Sequence, residues 1–236
     1  MNWKGEFFIG DSWMAYRGIA ADNRPHAHAT LQLTVSPSKN IVISDPTGIE
    51  VSGTAICVRS GRLHTLHPAQ KVVLLLVEPQ SQLARLILDH AGLTEISRVD
   101  DALISRVDWT GDIETLVDPL IQSAAAQDRV GVDPRLQTAL EFLRTAELRG
   151  AVSKAAEVCG LSEPRLRAIA QIEMGVPLSK WLIWQALKRA TVAVAEGASL
   201  ADAAYAAGFA DQAHYTRTMG QLMGVTPTQA MNAMEK

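Results

Sequence analysis

The sequence predicts an α+β chain of several domains: an N-terminal antiparallel β-barrel, a helical connector and a C-terminal all-α domain. Residues 1–80 hold short apolar runs of strand length separated by turn residues, and after Glu78-Pro79 the apolar spacing lengthens to that of helices. From Asp133 onward every segment reads as helix or turn, and one helical unit occurs there twice. The expected domains are therefore 1–80, 81–131 and 132–236.

The strands expected are 13–20, 30–35, 41–44, 49–52, 54–59, 63–66 and 72–77, with breaks at Pro37-Ser38, Asp45-Pro46 and Ser60-Gly61. In the connector, Leu83, Leu86 and Ile87 share one helical face, and Ile113, Leu116, Val117, Leu120 and Ile121 share another. This second stripe is wider than a linker needs, so the N-terminal domain together with the segment Asp112–Ala126 is the expected seam of a homodimer. Asp133-Pro134 is a strong helix start, an acidic N-cap before a proline at the first helical position. Further caps are expected at Ser162, Ser199, Asp211 and Thr226, the last as a capping box with Gln229.

Composition narrows the setting. The 236 residues carry a net charge of −3 and only two cysteines, Cys57 and Cys159, each within an apolar segment. That excludes a disulfide framework or a cysteine-rich zinc site and fits a reducing cytoplasm. No apolar run approaches the roughly 18–20 residues of a membrane span, and the first ten residues lack the core of an export signal. No membrane partner is expected.

The repeat aligns Ser162 with Asp211, Leu166 with Tyr215, Ala170 with Met219 and Gly175 with Gly224, an offset of 49 residues each time. Upstream of the turn the offset falls by one, so Ala156 meets Ala204 and Gly160 meets Gly208. Each copy reads as an alanine-rich helix, a glycine turn, a capped second helix, then Gly-Val and a third helix: a helix-turn-helix used twice. Residues 199–219, followed by Gly224-Val-Thr-Pro-Thr-Gln, resemble the signature of the AraC/XylS family of transcription regulators, and Cys159-Gly-Leu-Ser-Glu-Pro-Arg-Leu resembles its first unit. The resemblance spans about 133–232. It implies two recognition helices entering successive major grooves of double-stranded DNA, joined by a long helix over 180–196, with RNA polymerase as a further partner if the protein activates.

On the first recognition helix Leu166, Ile169 and Ala170 should face inward, leaving Arg165, Arg167 and Gln171 outside. On the second, Tyr215, Met219 and Leu222 should face inward, leaving Gln212, His214, Thr216 and Arg217 outside. Arginine and glutamine can make bidentate contacts to guanine and adenine edges. From residue 132 onward there are 11 Lys/Arg against 10 Asp/Glu, so attraction to DNA must come from local placement of charge. The sequence departs from the family pattern at Gly220-Gln221, where a basic pair is usual, at Met219 for an aromatic residue, and at Gln185-Ala-Leu in the joining helix. Fewer phosphate contacts follow.

Pro25-His26-Ala-His28-Ala-Thr-Leu-Gln32 and Ser60-Gly61-Arg62-Leu63-His64-Thr-Leu-His67 resemble the two motifs of a cupin barrel. In metal-binding cupins His26, His28 and His64 would be ligands, as imidazoles from separate strands suit transition metals. The usual acidic ligand is here Gln32, a poor one. The expectation is therefore a pocket at His26, His28, Gln32 and His64 for a small organic effector, with no cofactor and no metal, the three histidines as a metal set being the alternative. Nothing supplies a nucleophile or a paired acid and base, so no enzymatic activity is expected. Two rival readings stay open: a cupin metalloenzyme with an appended DNA-binding-like domain, and a constitutive regulator whose cupin serves only to dimerise.

Overall fold

In the computed structural model, residues 3–21, 23–127 and 131–234 are described. By mutual contact the chain divides into two compact units, Met1–Arg129 with Gly220–Lys236, and Val130–Met219. No helix among the described residues is long and apolar enough to cross a membrane.

Among the described residues the first unit is built on nine strands: β1 (Lys4–Ile9), β2 (Trp13–Ala20), β3 (Leu31–Val35), β4 (Ile41–Ser44), β5 (Glu50–Gly53), β6 (Ala55–Val58), β7 (Thr65–Leu66), β8 (Ala69–Val77) and β9 (Ile96–Arg98). All ladders are antiparallel. They form a six-stranded sheet in the order β1-β2-β8-β3-β6-β9 and a three-stranded sheet in the order β5-β4-β7. The expected barrel is thereby corrected to two open sheets. The chain leaves strand geometry at the bend after Pro37 and again at Thr54, passing from one sheet to the other at those corners, and among the described residues no ladder closes the ring.

Strand alternation sorts side chains onto the two faces of the large sheet. Leu31, Leu33 and Val35 of β3, Ala55 and Cys57 of β6, and Val73, Leu75 and Val77 of β8 enter one core. Their alternates Ile56, Val58 and Val72 join Ile41, Ile43 and Leu66 of the small sheet in a second core. Gln32 and Thr34 lie opposite Val58 and Ile56 across the β3–β6 ladder, so they project on that second side.

The first core is completed by α1 (Gln82–Asp89), α2 (Asp101–Ile104) and α3 (Asp118–Ala125). Leu83, Leu86, Ile87, Ile113, Leu116, Val117 and Leu120 are all buried against the sheet. The stripe expected as a dimer seam is consumed inside the unit; only Ile121, 38% exposed, faces out. The helix carrying it begins at Asp118 with Pro119 in its first turn, because proline has no N–H to give a preceding turn.

The all-α part comprises α4 (Pro134–Thr145), α5 (Ala151–Val158), α6 (Glu163–Met174), α7 (Leu178–Ala195), α8 (Leu200–Ala206), α9 (Gln212–Met223) and α10 (Pro227–Met234). Four of the five expected caps make their hydrogen bonds. Asp133 accepts from Arg135 N–H at 2.9 Å, Ser199 from Asp202 N–H at 3.1 Å and Asp211 from His214 N–H at 2.6 Å. Thr226 and Gln229 close a reciprocal box, at 2.8 Å from Thr226 N to Gln229 Oε1 and 3.3 Å back to Thr226 Oγ1. Ser162 occupies its cap position in extended geometry without a hydroxyl bond to the helix. Gly160 and Gly208 both turn the chain in the left-handed region, at φ 67° and 88°, a conformation costly for any side chain. The alanines beside those turns, Ala155, Ala156, Ala203 and Ala204, are buried.

Candidate DNA-reading faces and a histidine cluster

The first copy packs Leu166, Ile169, Ala170 and Met174 of α6 onto α4, α5 and Trp181 of α7. Its outer face presents Arg165, Arg167 and Gln171, all exposed, as expected. Arg167 is engaged within its own helix: its Nε and Nη2 donate to Oε1 of Glu163 at 2.9 and 2.7 Å, an i,i+4 pair. An exposed pair of this kind stabilises the helix by only about 0.3–0.5 kcal/mol, so Arg167 can leave it for a better partner. Ile172, seven residues on from Arg165 and on its side of the helix, is 80% exposed. Sequence reading passed over it, although an apolar residue in register with an arginine face is a suitable contact for a thymine methyl.

In the second copy Tyr215, Thr218 and Met219 are buried, and Leu222 is half-buried. Gln212 and Arg217 are exposed, while Thr216 and His214 are half-buried. His214 is held by the turn before it: its ring meets Phe209 edge-on at 5.3 Å, and Nδ1 accepts from Ala210 N–H at 3.3 Å. The exposed polar set of α9 is thus narrower than that of α6.

Between the copies runs α7, and its Arg189 joins them. Nη1 donates to the carbonyl of Arg144 at 2.7 Å, and Nη2 lies 3.3 Å from the carbonyls of Ala146 and Ala207. Arg189 therefore satisfies chain ends on α4 and α8 together, and its half-buried position lowers its pKa through desolvation. Arg144 also stacks its guanidinium over Trp181 at 5.8 Å.

In the first unit the four residues read as a pocket do converge. An antiparallel bridge zips His26 to His64, each N–H donating to the other's carbonyl at 3.0 Å, and Gly61 N–H donates to the carbonyl of His28 at 2.7 Å. His26 and His28, two apart in extended chain, face the same way. His26 Nε2 lies 3.0 Å from His28 Nε2, and Oε1 of Gln32 lies 2.8 Å from His28 Nε2 and 3.1 Å from His64 Nε2. Gln32 is aimed by its own amide N–H, which donates to Thr34 Oγ1 at 2.9 Å. All four side chains are at most 4% exposed.

Burial, reinforced by the histidines' mutual repulsion, favours neutral rings: His28 is held well below its usual pKa, His64 is pushed down to about 3, and His26 is lowered by burial. His67 stands apart, with Nε2 3.0 Å from Ser44 Oγ. Two neighbours escaped sequence reading. A Cβ placed on Gly224 would stand 2.7 Å from Nδ1 of His26 and 3.1 Å from the carbonyl of Arg24, and the backbone of Leu222 lies against His28.

Comparison with known proteins bears on both regions. Residues 155–233 match the helix-turn-helix domain family. No curated protein matches the sequence. Among solved structures, ToxT from Vibrio cholerae is 11% identical with a TM-score of 0.61, covering 96% of this chain and 100% of its own. ToxT bound to an unsaturated fatty acid is 10% identical with a TM-score of 0.57, covering 95% and 96%. ToxT bound to (E)-4-(8-methylnaphthalen-1-yl)but-3-enoic acid is 10% identical with a TM-score of 0.59, covering 95% and 100%. At these identities the likeness is one of fold, extending through both units. With the duplicated unit, its caps and its outward polar faces in place, residues 155–233 form a DNA-binding helix-turn-helix domain of the AraC type.

Proposed function

We propose that the protein is a sequence-specific transcription regulator that reads double-stranded DNA through α6 and α9 under the control of a small-molecule effector in its first unit. The observation that carries this reading is the repeat itself: two capped helices with buried inner stripes, each leaving arginine and glutamine outside. Arg165, Arg167 and Gln171 of the first copy, and Gln212, Thr216 and Arg217 of the second, are the reading set, with His214 in a supporting place at the turn. Effector control is favoured by the fold: ToxT, built on the same architecture, accommodates small carboxylic acids. In this chain the buried group of His26, His28, Gln32 and His64 is the candidate sensing site.

Acting on DNA, the protein would work in the cytoplasm, pair as a homodimer on half-sites, and meet RNA polymerase if it activates. Because the Ile113–Leu120 stripe is buried within one copy, pairing must use another surface. Footprinting of the full-length protein on genomic DNA, followed by operator binding with single-base variants, tests the reading. A protected site whose base preference changes with Arg217→Ala supports it; binding indifferent to sequence removes it. The rival reading as a metalloenzyme is tested by a turnover screen.

A further inference from the structure

The two reading helices differ most at the centre of their outward faces. By helical spacing, Pro164 and Ala168 lie opposite the packed Leu166, Ile169 and Ala170 of α6, with Ile172 and Arg165 on one flank and Gln171 and Arg167 on the other. Pro164, Ala168 and Ile172 follow one another at intervals of four and form one exposed apolar stripe. On α9 the place opposite the packed Tyr215 and Met219 belongs to Arg217, which is exposed. The 49-residue offset of the repeat pairs Ala168 with Arg217 and Ile172 with Gln221. Where the second copy holds out a guanidinium and an amide, the first holds out a methyl and a branched butyl group. A single exposed aliphatic side chain is ordinary on a protein surface, but an apolar pair in register with polar side chains of a reading face is a property of the face.

We propose that Ala168 and Ile172 read the 5-methyl groups of thymine in the major groove, so that the operator is asymmetric: a half recognised by its methyl groups under α6, and a half recognised by hydrogen bonds to Arg217 and Gln221 under α9. The inference rests on the reading of α6 and α9 as groove-entering helices and names what the first of them selects. Neither side chain of the pair donates or accepts a hydrogen bond, so the donor and acceptor pattern of a base pair is invisible to it. The thymine methyl is the one apolar group on the base edges of that groove. Ala168, short and central, lets the helix come close to the bases, and the longer Ile172 reaches in from the flank. With Ile172 80% exposed in the free protein, contact with a methyl takes apolar surface of both partners out of water. Charge permits the approach. Glu163 is paired with Arg167, Glu173 points about 100° away from Ile172 around the helix, and the exposed Arg165 draws the phosphates of the groove wall.

The test uses the full-length protein and the operator that footprinting defines. Each thymine is replaced in turn by deoxyuridine, which removes the methyl group and leaves base pairing unchanged. One or two of these replacements should weaken binding by about 3- to 10-fold each, at positions about one helical turn of DNA from the base pair whose preference changes with Arg217→Ala. Ile172→Ala should cost a similar factor on the thymine operator and nothing further on the uracil operator, because both changes remove one contact. Ile172→Leu should keep the sensitivity to uracil. Leu93→Ala, at a residue 97% exposed in the first unit, should alter neither binding nor sensitivity. Exposed as Ile172 is, its variants should melt with the parent, which thermal melting checks. Binding indifferent to every uracil, with the Arg217 dependence intact, overturns the methyl reading and leaves the reading of DNA in place. An equal loss for Ile172→Ala on thymine and uracil operators, or a changed self-association in place of a changed base preference, overturns it too. Failure to find any sequence-specific operator removes both readings.

Discussion

The two copies of the helical unit end in the same way and in different company. Gly175 closes α6 at φ 72° and Gly224 closes α9 at φ 70°, so the backbone solves one problem twice. A side chain on Gly175 would meet nothing within 4 Å, whereas one on Gly224 would run into His26. The reading faces differ as well. Arg167 is tethered by Glu163, while Arg217 is exposed on a face where His214 is held by Phe209 and Ala210. Duplication therefore fixed the architecture of each half and left its surroundings to diverge: one copy ends in open space, the other against the buried histidines of the first unit.

The sharpest way to break this comparison is to put the same methyl group on both glycines. Gly175→Ala should cost only the left-handed strain, roughly 1–2 kcal/mol. Gly224→Ala should cost that and a further 1–3 kcal/mol or so for overpacking against His26. Urea unfolding of the two variants reads the difference directly, and equal losses would mean that the turn after α9 does not rest on the cluster. Next in size is Arg189→Met, which keeps the stem and removes the guanidinium shared between α4 and α8. It should destabilise by about 2–3 kcal/mol and loosen both copies together, visible as faster amide exchange at the ends of α4 and α8 alike. Loss confined to one end would show that Arg189 serves one copy only.

The folding pattern was legible where periodicity and caps are strong, and obscure where the chain lies at an edge. β2 and β4 were both placed to the residue, β4 on a regular alternation of buried and half-buried positions. β1 escaped because its Lys-Gly-Glu-Phe-Phe-Ile run is half-exposed throughout, as befits an edge strand with little buried pattern. β9 escaped because three residues carry no period. Barrel closure failed as an expectation because local spacing specifies strands but not which edges meet. The four cluster residues were found through the resemblance of their two segments to cupin motifs, while Gly224 and Leu222, far along the chain, carry no local signal of their place beside them.

The reading faces give the next contrast. Arg217→Ala should weaken specific operator binding by about 1–3 kcal/mol and relax preference at one base position. Arg167→Ala should fall at the low end of that range, because contact with DNA first breaks the Glu163 pair, and Glu163→Gln should raise affinity about twofold. Operator titrations at fixed salt, run over single-base variants, check all three; an Arg167 loss larger than that of Arg217 would reverse the ranking. The smallest effect is expected at Arg144→Ala. Removing its stacking on Trp181 should cost about 0.5–1 kcal/mol of stability and change operator affinity little and uniformly, which thermal melting beside the same titration will show.

The packing of α10 against β1 reaches beyond recognition. β1 is the terminal strand of the large sheet, paired on one side only, by β2. Uncovered strands of this kind recruit further strands from neighbouring molecules. A chain cut after the first unit's helices, near Gln127, would lose α10 and its packing on β1, so self-association of that fragment in the ultracentrifuge would not by itself report pairing of the full-length protein. Proteolysis in the turn between Met223 and Pro227 carries the same hazard in storage: a single nick there would free α10 from the chain while leaving α6 and α9 whole.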